Sequence, residues 1–347
     1  MIAFLLFCVT FSLVGMEQPH LEQQPPQILN AYHAPITERT IKLHYKNPYL
    51  GLKRISLSSH ATNYIAGTDG HYNRYKLYVG PLSNGQLIKI LLTDNNICST
   101  TFNKSDSVVA ATCYNGSLYL INTNNYTKAE ASSLHPKSWA RLESHPTQDN
   151  LLFAGYNHNI SVCLWDINRL TAQKNISIFS DPMEAILDLK YQQEQSLLAV
   201  QSNNTIYLWD IRISKADEFY KNYTNDSSNI SWNPTNTYEI AVPQKKNIEI
   251  IDIRTKKIIE YIPSNNYSKV AFITSSLLLV TNYYMNFIYN RNTREIRKYK
   301  ETYLTPTFHH RSLQQTFNGG LSQGHDECLY IYDFSQLVEQ NNRPSLN

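Results

Sequence analysis

The chain reads as strand-length apolar runs separated by polar turns. From about Thr40 onward no long stretch holds the 3.6-residue period of an amphipathic helix, so the expected class is all-β. Several runs repeat. Leu164-Trp165-Asp166-Ile167 and Leu208-Trp209-Asp210-Ile211 are nearly one word. Weaker copies follow as Ile250-Ile251-Asp252-Ile253, Asn286-Phe287-Ile288-Tyr289 and Ile331-Tyr332-Asp333-Phe334. Two degenerate copies precede them, Tyr78-Val79-Gly80-Pro81 and Leu120-Ile121-Asn122-Thr123. With Asp166 as the mark, the series runs 80, 122, 166, 210, 252, 289 and 333. Six positions before the Trp of each Trp-Asp pair stands Asn159 or Asn203. The same offset in the other copies reaches Asn73, Asn115, Lys245, Asn282 and Asp326. A short side chain that bonds its own backbone and tolerates left-handed geometry suits a tight turn between two strands.

A period near 40–45 residues with four strands per unit is that of propeller blades. Seven marks predict an all-β, seven-bladed β-propeller of four-stranded antiparallel blades. The count leaves Thr40-Ile41-Lys42-Leu43-His44-Tyr45 without a blade. Residues 40–46 are therefore predicted to supply the outer strand of the last blade, closing the ring and removing an open sheet edge. Earlier still, Ile2 to Val14 is nearly continuously apolar. It is shorter than the ~20 residues of a membrane-spanning helix but suits the core of a signal peptide. Pro19, Pro25, Pro26 and Pro35, with several Gln, mark an extended linker. The expected organisation is a signal peptide over 1–15, a Pro/Gln-rich linker over 16–39, the propeller over 40–338 and a tail over 339–347. Export to the periplasm or outside follows, with no stable membrane span after cleavage; the alternative is a cytoplasmic protein that keeps Met1.

Composition changes this picture little. Of 347 residues 42% are hydrophobic, enough for a sizeable core, and 31 basic residues face 28 acidic ones. A net charge of +3 points to no nucleic-acid partner. Cys8 leaves with the signal, and Cys98, Cys113, Cys163 and Cys328 lie in apolar runs with no C-x-x-C pair, so no zinc site is expected. In an oxidising compartment Cys98 and Cys113 could meet across one hairpin. Ten N-x-S/T sequons, Asn103, Asn115 and Asn125 among them, matter only if the chain enters a eukaryotic secretory route.

Three enzyme signatures are absent: there is no P-loop, G-x-G-x-x-G or H-E-x-x-H. His309 and His310 are adjacent, so on a strand they point to opposite faces. Asp166, Asp210, Asp252 and Asp333 recur with the repeat and read as strand-end hydrogen-bond acceptors. No catalytic residue, metal or cofactor is expected. Arg291, Arg294, Arg297, Lys298 and Lys300 read as the outer edge strand of the sixth blade, where charge discourages edge-to-edge pairing; an anion-binding surface is the alternative.

These repeats resemble the WD-repeat β-propeller family over about residues 41–338. The third repeat carries His135, Trp139, His145-Pro146, Asn159 and Trp165-Asp166, and the fifth carries Trp232-Asn233-Pro234. No repeat has the Gly-His dipeptide in the family's place and only two copies keep Trp-Asp, so most of its His–Ser–Asp–Trp hydrogen-bond network has no counterpart. The resemblance implies a narrow top face, around the central channel, onto which the loops between second and third strands and the loops entering each blade open. Tyr72, Tyr114, Trp139, His158 and His325 fall in those loops. Aromatic side chains with a polar tip on a rigid rim have the composition of interface hot spots. The resulting expectation is a monomeric, non-enzymatic scaffold that binds a protein or peptide. Two alternatives remain. One is an exported lactonase-like hydrolase, to whose ligand set Asn73, Asn115 and Asn159 could contribute. The other is a substrate receptor of a cullin ubiquitin ligase. Trp209-Asp210-Ile211-Arg212 and Asp252-Ile253-Arg254 are similar to that docking motif, which would place Arg212 and Arg254 on the bottom face.

Overall fold

The structure is a computed structural model. It describes residues 28–29, 37–42, 54–57, 64–71, 74–81, 88–93, 95–131, 140–156, 161–177, 185–192, 194–213, 215–221, 230–244, 247–263, 269–281, 285–301, 305–307, 314–319 and 328–333. Those residues form seven sheets and no helix. Blades one to six span residues 54–93, 97–131, 140–177, 186–221, 231–263 and 269–301, each an antiparallel meander of four consecutive strands. Inner strands of neighbouring blades touch from blade one through blade six, and the inner strand of blade seven, Thr305–Thr307, meets that of blade one, Arg54–Leu57. The sheets therefore stand as the blades of a β-propeller.

Blade seven is composite. Its first three strands, Thr305–Thr307, Gln314–Gly319 and Cys328–Asp333, come from the C-terminal part, and its outer strand is Thr37–Lys42. Thr37 lies opposite Asp333 and Lys42 opposite Cys328. Closure by an N-terminal strand holds, but over 37–42 instead of 40–46, the six residues pairing along the whole of the six-residue partner strand. Upstream, Ile28–Leu29 runs parallel to the outer strand of blade six, with Ile28 beside Ile296 and Leu29 beside Arg297. The strand that carries the basic run is thus covered for part of its length and is no bare edge.

The apolar core is divided into layers between adjacent sheets. Trp165, Leu152 and Ala154 of blade three meet Ala110, Leu118 and Leu120 of blade two. Trp209 and Leu198 of blade four meet Leu151, Phe153 and Val162 of blade three. Ile230, Trp232 and Ile251 of blade five meet Ala199, Ile206 and Phe219 of blade four. Each fully buried Trp or Leu contributes about 1.5–3 kcal/mol or more by leaving water, which makes these layers the main source of ring stability. Gly155 sits where blades three and four pack tightly, and a Cβ there would stand 3.0 Å from Cδ1 and Cγ2 of Ile186.

The repeat marks hold their places with two corrections. In blades three, four and five the Asp mark ends the third strand opposite the first residue of the second: Leu151↔Asp166, Leu197↔Asp210 and Glu239↔Asp252. In blade six that partner of Leu277 is Asn290, not Tyr289, and in blade one Tyr64 pairs with Pro81, not Gly80. Asn290 performs the same task as the aspartates: its Oδ1 accepts the N–H of Asn292 (2.9 Å) and of Thr293 (3.4 Å). Tyr289 occupies the Trp position, packing toward blade five. An apolar-pattern match alone could slip by one residue here because Tyr fits either role.

Candidate functional site

Antiparallel meanders place the turns between second and third strands on one face, and those between first and second and between third and fourth on the other. On the first face, Tyr114, Asn115 and Gly116 make the turn of blade two. Asn115 Oδ1 accepts the Ser117 N–H at 3.1 Å, Gly116 takes φ 87°, and the Gly116 N–H bonds the Cys113 carbonyl at 2.8 Å. This is the role read for the Asn mark. The backbone is fixed while the Tyr114 side chain is left 54% exposed, one of the few large apolar groups so placed among the described residues. Blade four turns through Asn203 and Asn204, clasped by Ser202, whose hydroxyl bonds the Thr205 carbonyl at 2.9 Å. Tyr72, Trp139, His158 and His325 lie outside the described residues, as do Asn73 and Asn159.

The opposite face is tied down by its own side chains. Asp166 Oδ1 accepts the Asn168 and Arg169 N–H groups, and Gln173 bonds its Oδ2 at 2.9 Å. Arg212 folds back on Asp210 (2.6 Å) and Arg254 on Asp252 (2.7 Å), the latter with its guanidinium 4.3 Å from the Tyr238 ring centroid. The Arg254 hydrogen bond, against a smaller opposing effect of burial, holds the Asp252 carboxyl down to about 2. Arg212 and Arg254 occupy equivalent exposed turns, each paired to its own aspartate. Asp333 ends a strand as the other marks do. Between blades two and three, Asp149 gathers Asn103 Nδ2 (2.7 Å), the Ser105 N–H (2.7 Å) and the Ser105 hydroxyl (2.7 Å). Asn103 is 2% exposed, so its sequon cannot carry a glycan in the folded protein, whereas Asn125 is exposed.

Arg291, first of the basic run, is an interblade bolt. It reaches Glu260 (2.7 Å), Glu239 (2.8 Å) and the Ser275 carbonyl (2.7 Å), and Tyr289 adds a hydrogen bond to Glu260 (2.8 Å). Arg297 pairs with Glu295. Among the described residues no group of His, Cys, Asp or Glu is placed to hold a metal. Cys98, Cys113 and Cys163 are buried and in no disulfide, and burial pushes the Cys163 thiol up to about 12. No described helix is long and apolar enough to cross a membrane.

A second cluster was not singled out in the sequence. Arg141 and Glu143 on the inner strand of blade three, Ala140–Ser144, approach Asp188 and Lys190 on that of blade four, Ile186–Gln192. Lys190 Nζ lies 3.8 Å from Glu143 and 3.9 Å from Asp188. Burial works against its charge, but the two carboxylates outweigh it and raise its pKa. Lys269, on the inner strand of blade six (Lys269–Phe272), feels the charges of Asp188, Arg141 and Lys190. Burial there draws its ammonium below the usual lysine value. The visible signal was charge at alternate positions of otherwise apolar strands.

The fold is that of a β-propeller with WD-repeat-like blades. No protein-family profile matches the chain, and no curated protein does. Among solved structures, a chain from the crystal structure of a mitotic checkpoint complex superposes with a TM-score of 0.65. The likeness covers 96% of this chain and 98% of that one at 14% sequence identity. At that identity the likeness shows the fold alone, and as many as 1521 solved chains share it, so activity has to be argued from the surface.

Proposed function

We propose that this protein is a non-enzymatic, WD-repeat-type scaffold that binds another protein or a peptide on the face bearing the second-to-third-strand turns. The observation that carries the reading is Tyr114: a half-exposed aromatic on a turn whose backbone is already locked by Asn115 and Gly116. An aromatic fixed in this way loses little conformational entropy on binding, which is how a few rigid anchors dominate an interface. Trp139 and His158 of the neighbouring blade belong to the same loop set and are proposed as co-anchors, with Tyr72 and His325. The likeness to a chain of a multi-protein assembly supports the same reading. Export after residue 15 is part of the proposal, and a mature N-terminus at or near Met16 in the host's extracytoplasmic fraction is its check.

The test compares the wild type with Tyr114→Ala in quantitative affinity capture from the native host. The variant should keep the wild-type unfolding midpoint, since the lost side chain packs on little, and lose the partner by about tenfold or more. Equal recovery by both proteins would place the interface elsewhere.

A further inference from the structure

We propose that the face carrying the third-to-fourth-strand turns docks on an anionic lipid surface through blades five and six. Backbone strain points to the residues concerned. The residue four places after the strand-end mark takes a left-handed φ in four blades: Tyr126 (57°), Leu170 (54°), Lys256 (56°) and Arg294 (57°). A side chain there crowds its own backbone, and glycine would sit without that cost. Tyr126 and Leu170 have a folding reason for their places, since each packs against an interblade core layer. Lys256 and Arg294 do not. Both are exposed, and neither makes an ion pair or side-chain hydrogen bond among the described residues. Two strained positions thus keep a long cationic side chain that packing does not use.

The two turns are neighbours. Arg291, in the blade-six turn, reaches Glu260 (2.7 Å) and Glu239 (2.8 Å) of blade five, which ties residues 291–294 to the sheet that carries Lys256. Lys257 follows Lys256 in the same exposed stretch. The carboxylates at this end of blades five and six are already engaged: Asp252 by Arg254, Glu239 and Glu260 by Arg291, and Glu295 by Arg297. The first-to-second-strand turns on the same face, residues 233–238 and 273–276, contain no acid. Lys256, Lys257 and Arg294 therefore stand as three cations without a counter-charge among the described residues. Blade four adds an apolar tip on the same face, joined to blade five by the Gln195–Thr237 hydrogen bond (3.2 Å). Ile213 is 49% exposed beside Arg212, while its carbonyl is pinned by Trp209 Nε1 (3.0 Å) and the Lys174 ammonium (2.6 Å). Equivalent turns of a repeat end at one level, so these side chains address a plane. Cations and an apolar tip at one level suit the headgroup layer of an anionic bilayer, where the tip enters the interface and each cation adds attraction. An acidic peptide would meet the cations without using Ile213. The inference is independent of whether the opposite turns bind a partner.

The probes are vesicles of phosphatidylcholine alone and of phosphatidylcholine with phosphatidylserine, each co-sedimented with the full chain. Binding to the mixed vesicles only, weakened by added salt, is expected. Lys256→Gly and Arg294→Gly together remove two charges and relieve two strained positions. That double variant should bind mixed vesicles weaker by about tenfold or more, with a urea-unfolding midpoint equal to or above that of the wild type. Ile213→Ser should weaken binding severalfold. Lys128→Gln, which removes a charge from the outer strand of blade two, should leave it unchanged. No binding to mixed vesicles, equal binding to both kinds, undiminished binding by the double variant, or an equal loss with Lys128→Gln would each overturn the proposal. Soluble polyglutamate held through Lys256 and Arg294 while mixed vesicles are ignored would overturn it as well, and would assign the face to an acidic protein segment.

Discussion

Asp252 condenses the logic of the repeat into one side chain. It closes a third strand, caps the following turn through the Arg254 and Thr255 N–H groups, and holds the Arg254 guanidinium at 2.7 Å. Because its carboxyl is held at about 2, below the ordinary value of ~3.9, its contribution is complete above that ordinary value and is lost as the pH falls through the lower one. Urea-unfolding midpoints of the wild type should therefore drop between about pH 4 and pH 2, and Asp252→Asn should flatten that limb while lowering the plateau above it. An unchanged acid limb would mean the carboxylate is not a stabilising cap. This role was legible from the sequence, since an Asp recurring at one strand end has few other uses. Where the mark degenerates to Asn290 the side chain does the same work without the charge, and there the hydrophobic pattern misplaced it by one residue.

The outer edges are less legible than the third strands. Each buried third strand needs a specific apolar word, while a fourth strand needs only backbone pairing and alternation. The basic run from Arg291 was read as the outer edge strand of the sixth blade, yet Arg291 is a half-buried interblade bolt and Ile28–Leu29 lies along the strand that follows it. The N-terminal closing strand was legible because a blade count leaves one strand over; its register was not, because an outer strand is held by backbone pairing that leaves little mark in the apolar pattern. Removing residues 1–42 should expose the Cys328–Asp333 edge. We expect a lower unfolding temperature and concentration-dependent self-association by light scattering; a monomer of unchanged stability would show that the strand is dispensable. Interblade contact has its own test at Gly155. Replacing it with Ala pushes a methyl to within 3.0 Å of Ile186, between two packed sheets, and should cost about 1–3 kcal/mol in chemical denaturation.

At the scale of the molecule, a ring of sheets packed face to face distributes its core among interblade layers and leaves two faces of turns with few packing duties. One face is stitched to itself by Asp–Arg and Asx contacts. The other presents Tyr114 with its side chain 54% exposed. The fold class was readable in full from spacing, since a period of this length admits few architectures. The charged cluster on the inner strands was not, because Glu143 and Lys190 belong to different blades and come together only in the folded ring. The central claim, that the turn face is where partners bind, is tested most directly by placing a photo-crosslinking residue at position 114 and, separately, at the exposed outer-strand position 259, and irradiating in the native host. The account predicts a discrete protein adduct from position 114 and none from position 259. Adducts from 259 alone, or the same products from both, would contradict it.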